Sequence, residues 1–175
     1  MSFPITTLVA LIAYFISRAV LKSSKQVYAG LFLALLMIVG FMTYSKGISI
    51  LGLHVSATSF SIVILIVTFF ETTLLERHIT KIKKGEIGSN VKSVETEYNE
   101  IFILIGFGLG GIMLSLVSGL MVLGEIDIEL IFKIVFTVFA LIIYMLTFLG
   151  VRYANLKVRY AVRGTILSFA MVLLA

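Results

Sequence analysis

The chain has 175 residues, of which 60% are hydrophobic and 13% charged, with a mean hydropathy of +1.15. That balance excludes a water-soluble domain, whose exterior must be far more polar, and suits helices that stay apolar on every face in lipid. The formal charge of +5 sits in short basic runs between apolar stretches, a pattern that encodes membrane topology and argues against nucleic acid as a partner. With no cysteine, disulfides, thiolate metal sites and thiol redox chemistry are also excluded.

Runs of about 20 apolar residues mark membrane-crossing helices. Six are expected, at Phe3–Leu21, Val27–Tyr44, His54–Leu75, Ile101–Leu123, Ile128–Gly150 and Tyr160–Ala175. The fold class is therefore all-α, a single polytopic transmembrane helical bundle over residues 1–175, in contact with the lipid bilayer. The first run is followed by further spans and not by a small-residue cleavage site and a soluble domain, so it reads as a membrane helix. Tyr28 and Tyr44 bracket the second span, where aromatic rings prefer the interface.

The third span opens with His54, after Gly52, and continues through the hydroxyls of Ser56, Thr58, Ser59 and Ser61. An imidazole there is either a solvated interfacial side chain or a ligand for haem iron beside an apolar groove. Near the other end of this span stands Glu71. Unpaired at the bilayer centre it would cost about 2.5 to 3.5 kcal/mol, so its nearness to Arg77 predicts a largely hydrated position at the membrane surface. A proton relay is the sharper alternative.

The segment from Glu76 to Glu100 is the one sizeable polar stretch, read as a solvated and partly helical connection, too small for an enzyme domain. His78 within it is expected to be exposed. In the fourth span, Gly106, Gly108, Gly110 and Gly111 have neither a preceding strand nor a downstream acid, which excludes a nucleotide-binding loop. Gly106 with Gly110, and Gly111 with Ser115 and Gly119, instead predict a small-residue face for close helix approach.

In the fifth span Lys133 follows Glu129 by four residues, the favourable order for a helical ion pair, and its side chain can snorkel outward. The alternative is a site for an anionic group. Residues 160–175 cover only about 24 Å of a roughly 30 Å hydrocarbon core, which predicts that the natural chain continues past Ala175. No repeat of 20 to 50 residues is evident, nor paired broken helices of the transporter kind.

Basic residues are unevenly split between alternate connections. Twelve lie on one side (Arg18, Lys22, Lys25, Arg77, Lys81, Lys83, Lys84, Lys92, Arg152, Lys157, Arg159, Arg163) and two, Lys46 and Lys133, on the other. The first group is expected in the cytoplasm, which puts the N-terminus, His54 and Lys133 outside.

Two stretches carry a family resemblance. The first runs from His54-Val-Ser-Ala-Thr-Ser-Phe-Ser61 to Leu75-Glu76-Arg77 and the basic loop. The second runs from Ser118-Gly119 through Phe132-Lys133-Ile134, Gly150-Val151-Arg152-Tyr153 and Arg159-Tyr160 to Arg163-Gly164. Over about two thirds of its length the chain thus resembles the cytochrome c assembly transmembrane family (CcsA/HemX-like), especially its YpjD-type inner membrane proteins. The resemblance implies a bacterial inner-membrane protein of cytochrome c biogenesis or another haem-handling process. It implies haem as cofactor, His54 as its axial ligand, Lys133 as a propionate contact, and other cytochrome c assembly membrane proteins as partners. The family often has a second histidine where Phe132 stands here, so a one-histidine site is implied.

No catalytic constellation is visible, and the expected function is non-enzymatic haem handling. A structural or accessory membrane subunit, binding a partner through the fourth span's small residues and the basic loops, is the alternative. A small transporter using Glu71 is the third reading.

Overall fold

A computed structural model describes residues 2–20, 26–46, 49–85, 93–122, 128–154 and 156–174 of the chain. Six helices follow one another: α1 (Ser2–Val20), α2 (Gln26–Lys46), α3 (Ile50–Lys83), α4 (Val94–Val122), α5 (Ile128–Tyr153) and α6 (Val158–Leu174). No strand occurs among the described residues, and the all-α expectation holds. Lys22, Lys25 and Lys92, and the side chains of Tyr44 and Lys46, lie outside the described residues.

Local chemistry sets the helix ends and corrects two expected boundaries. Ser49, in extended conformation, accepts a hydrogen bond from the Gly52 amide at 3.1 Å and so starts α3 four residues before His54. His54 therefore sits in the second turn and does not open the helix. At the other end α3 continues past Leu75 to Lys83, where Gly85 takes a φ of 78° and its amide closes on the Ile82 carbonyl. Ser93 caps α4 through the Thr96 amide, and Glu95 and Glu97 fall in its positive first turn. Most of the segment from Glu76 to Glu100 is thus helix.

Three helices, α3, α4 and α5, are long and apolar enough to cross a membrane, while α1 and α2 contribute shorter apolar stretches at Ile5–Val20 and Val27–Gly40. The exterior agrees with that chemistry. Leu8, Ile16, Phe32, Phe107, Leu120, Phe139 and Leu146 are all more than half exposed, a surface that a soluble protein cannot keep in water.

α3 is the spine of the bundle. On one side the α1–α2 hairpin packs against it through Ala10, Tyr14, Ala34, Ile38, Val63 and Val67. On the other, Leu65, Ile105, Ile112, Tyr144 and Ala161 join α3 to α4, α5 and α6. The α3–α4 and α4–α5 approaches are close because glycines face them. A Cβ on Gly111 would lie 2.8 Å from the Ser61 hydroxyl, and one on Gly108 would lie 2.6 Å from the Tyr144 ring. Gly110, expected on this face, has open space where its side chain would be, and Gly106 makes only ordinary contact with Phe148. The inward stripe runs Gly108, Gly111, Ser115 and then both Ser118 and Gly119, which lie three and four residues past Ser115, as a helix face requires.

Candidate functional site

The N-terminal turns of α3 and α5 and the C-terminal turns of α4 frame a cavity of about 440 Å³, to which α6 adds Val172. Its volume falls in the range of small-molecule and cofactor sites. Both residues singled out in sequence, His54 and Lys133, line it. They come from different helices 79 positions apart, and only the packing of α5 alongside α3 and α4 brings them to one chamber. Ile62, Ile112, Leu116, Leu120 and Ile134 make the walls apolar.

The imidazole of His54 is oriented from α4. Its Nδ1 lies 3.0 Å from the Ser115 carbonyl oxygen and 3.3 Å from the Ser118 hydroxyl. A carbonyl only accepts, so Nδ1 carries a proton, and in the neutral ring the lone pair is on Nε2. The Ser118 hydroxyl donates to the carbonyls of Leu114 and Ser115 and offers Nδ1 only its lone pairs. Gly119 gives the ring room: a Cβ there would stand 3.0 Å from Cε1 of His54. The hydroxyls that follow His54 in sequence do not orient it.

Those hydroxyls satisfy backbone instead. Thr58 donates to the His54 carbonyl at 2.8 Å, Ser61 to Ala57 at 2.7 Å and Thr137 to Lys133 at 2.8 Å. With the Thr58 proton committed, Ser115 donates to Thr58 across their 2.6 Å contact. Every hydroxyl proton lining the cavity is therefore in use. The strong polar groups still offered to a guest are the Nε2 lone pair of His54 and the ammonium of Lys133, which has no carboxylate partner among the described residues. The Glu129–Lys133 ion pair expected from spacing is not formed. Phe132 is 60% exposed and does not line the cavity.

The remaining candidates lie at the opposite end. Glu71 is not a hydrated surface carboxylate: Arg18 of α1 grips both its oxygens, at 2.5 and 2.9 Å, and the Tyr14 hydroxyl donates at 2.8 Å. The side chains of Arg18 and Glu71 are 26% and 11% exposed, and the guanidinium also stacks over Phe70. Sequence pointed to Arg77 as the neighbour, because an i+6 cation on the same helix is visible and one from α1 is not. His78 is likewise not exposed. Its Nδ1 meets Glu97 of α4 at 2.9 Å, and its Nε2 is buried without a hydrogen-bond partner. Glu97 and Glu100 line a polar cavity of about 120 Å³ with Arg18 and Glu71.

Among the described residues no group of three or more metal-ligating side chains occurs. A haem iron needs only one strong protein donor, and the cavity supplies one fixed imidazole in apolar walls together with one cation. Comparison with family models, with curated proteins and with solved structures gave no match for this chain.

Proposed function

We propose that the chain is a non-enzymatic haem-handling protein of the bacterial inner membrane, of the kind that serves cytochrome c assembly. The observation that carries this reading is the pairing, in one apolar cavity, of an imidazole with a free Nε2 and an unpaired ammonium. An amphipathic guest that suits it has a Lewis-acidic centre, an apolar body and an anionic edge. Haem has all three: iron for His54, a porphyrin face for the leucines and isoleucines, and a propionate for Lys133.

The chemistry supplied by a bound haem would be that of its iron, one-electron transfer or delivery of the group itself. The chain's contribution is positional. The Ser115 carbonyl holds the imidazole tautomer that leaves Nε2 basic, as the outer partners of metal-bound histidines do. His54 would be the one protein donor this chain supplies to the iron, and any second donor would come from a partner protein. The charge asymmetry of the sequence supports an orientation with this cavity on the outer side and the N-terminus outside.

The accessory-subunit alternative rests on the small residues of α4 and the basic loops; of those small residues Gly108, Gly111 and Gly119 face Tyr144, Ser61 and His54 of the same chain, which leaves the basic loops to carry it. The transporter reading relied on a free Glu71, which Arg18 and Tyr14 engage.

The test is an absorption spectrum of detergent-purified protein reconstituted with haem. Wild type and His78→Gln should show the same Soret band, and His54→Ala should lose or shift it. A wild type without a Soret band, or a band indifferent to His54, would sink the proposal.

A further inference from the structure

The end of the bundle opposite the haem-type cavity carries a second recognisable surface, independent of the haem reading. Helix α5 ends in Arg152 and Tyr153, and α6 begins with Val158, Arg159 and Tyr160, with Lys157 before it and Arg163 one turn on. All four cations are exposed, and Tyr153 and Tyr160 are 77% and 53% exposed. Ala161, Val162 and Thr165 are buried, so α6 turns its packed face inward and presents Arg159, Tyr160 and Arg163 outward.

None of these four cations forms an ion pair among the described residues. The sequence shows why: after Glu129 no carboxylate occurs in the chain. The α3 end differs. Its exposed Lys81, Lys83 and Lys84 stand in a stretch of sequence that also carries Glu76, Glu86, Glu95, Glu97 and Glu100. Charges that served topology alone would need no fixed arrangement, because insertion counts them and does not read their geometry. The α5–α6 turn is nevertheless held in place. Gly150 accepts from the amides of Ala154 and Leu156 at 3.1 and 3.0 Å, leaving a Cβ on Gly150 only 3.3 Å from Leu156. The Tyr98 hydroxyl of α4 reaches the carbonyls of Val151 and Leu156 at 3.4 and 3.3 Å. The Arg152 guanidinium lies over the Phe102 ring, itself stacked on Phe148.

We propose that this turn is a binding site for anionic phospholipid headgroups, with Arg152, Lys157, Arg159 and Arg163 meeting the phosphates and Tyr153 and Tyr160 seated among the glycerol and acyl boundary. Charge complementarity selects the partner: four unpaired cations beside two exposed tyrosine rings at the end of apolar helices match the one surface that is at once anionic and interfacial. Arginine dominates the set, and its fork fits phosphate oxygens in pairs. Fixing the turn in advance lowers the ordering cost of binding.

The test is lipid retention by the full chain, purified from nanodiscs of phosphatidylcholine mixed with phosphatidylglycerol and weighed by native mass spectrometry. Wild type should retain phosphatidylglycerol in preference to phosphatidylcholine. Each basic residue near an anionic surface is worth roughly fivefold in affinity, so K157Q/R159Q/R163Q should lower that preference by at least about tenfold. The charge-matched K81Q/K83Q/K84Q should keep it. All six positions are exposed, so both variants fold, and far-ultraviolet circular dichroism checks this. R152Q, measured separately, should also weaken retention. Equal losses in the two triple variants would reduce the effect to net charge and overturn the proposal, as would a wild type with no preference.

Discussion

Gly108 and Gly110 stand two residues apart on α4, yet their surroundings make opposite demands, and alanine at each position measures the difference. A Cβ on Gly108 would lie 2.6 Å from Cε1 and 2.7 Å from the hydroxyl oxygen of Tyr144. That ring cannot swing aside: Tyr144 is fully buried and its hydroxyl bonds Thr68 at 3.3 Å. A Cβ on Gly110 meets nothing within 4 Å. Replacing glycine by alanine in a helix interior gains about 0.8–1.0 kcal/mol of propensity, and because both sites gain it, the term cancels in the comparison. What remains is overpacking at Gly108, about 1–3 kcal/mol. For a chain of this size each kcal/mol moves Tm by roughly 2–4 °C. Gly108→Ala should therefore melt about 2–12 °C below Gly110→Ala, followed by circular dichroism at 222 nm in one detergent. Equal melting temperatures, or the reverse order, would refute the assignment of the inward face of α4.

Gly119→Ala should crowd the His54 ring, whose Cε1 would stand 3.0 Å from the new methyl; haem titration followed at the Soret band should show at least about tenfold weaker binding, a loss of roughly 1.4 kcal/mol. Breaking the α1–α3 clamp with Glu71→Gln should cost about 1–3 kcal/mol by leaving Arg18 partly buried without its carboxylate, and a double-mutant cycle with Arg18→Gln should return a positive coupling energy; additive losses would show that the clamp contributes nothing. Because the chain has no cysteine, a single cysteine at Gly85 gives a clean topology probe, and impermeant reagent applied to cells should leave it unlabelled; labelling from outside would invert the orientation.

The sequence by itself determined the helices. Their number, order and approximate limits follow from apolar runs of near 20 residues, since a backbone in lipid must satisfy its own hydrogen bonds and has few ways to do so. It also marked His54 and Lys133, because an imidazole and an ammonium stand out against apolar neighbours at the start of their spans. The alternation of basic and apolar segments anticipated that Arg18, His78, Arg152 and Arg159 share one end of the bundle. Helix limits were less legible where a cap decided them, as at Ser49, which shifted His54 into the second turn.

Only the tertiary structure decided which groups meet. Arg18 reaches Glu71 across 53 positions, His78 meets Glu97 of the next helix, and the Ser115 carbonyl, which has no signature in sequence at all, fixes the His54 tautomer. The choice of Gly108 over Gly110 as a contact residue is of the same kind. A helical period of 3.6 residues places small residues on shared faces, but it leaves open how far each helix is rotated about its axis. Rotation is settled by interlocking side chains of several helices at once, and that information is spread over the whole chain and written in no single span.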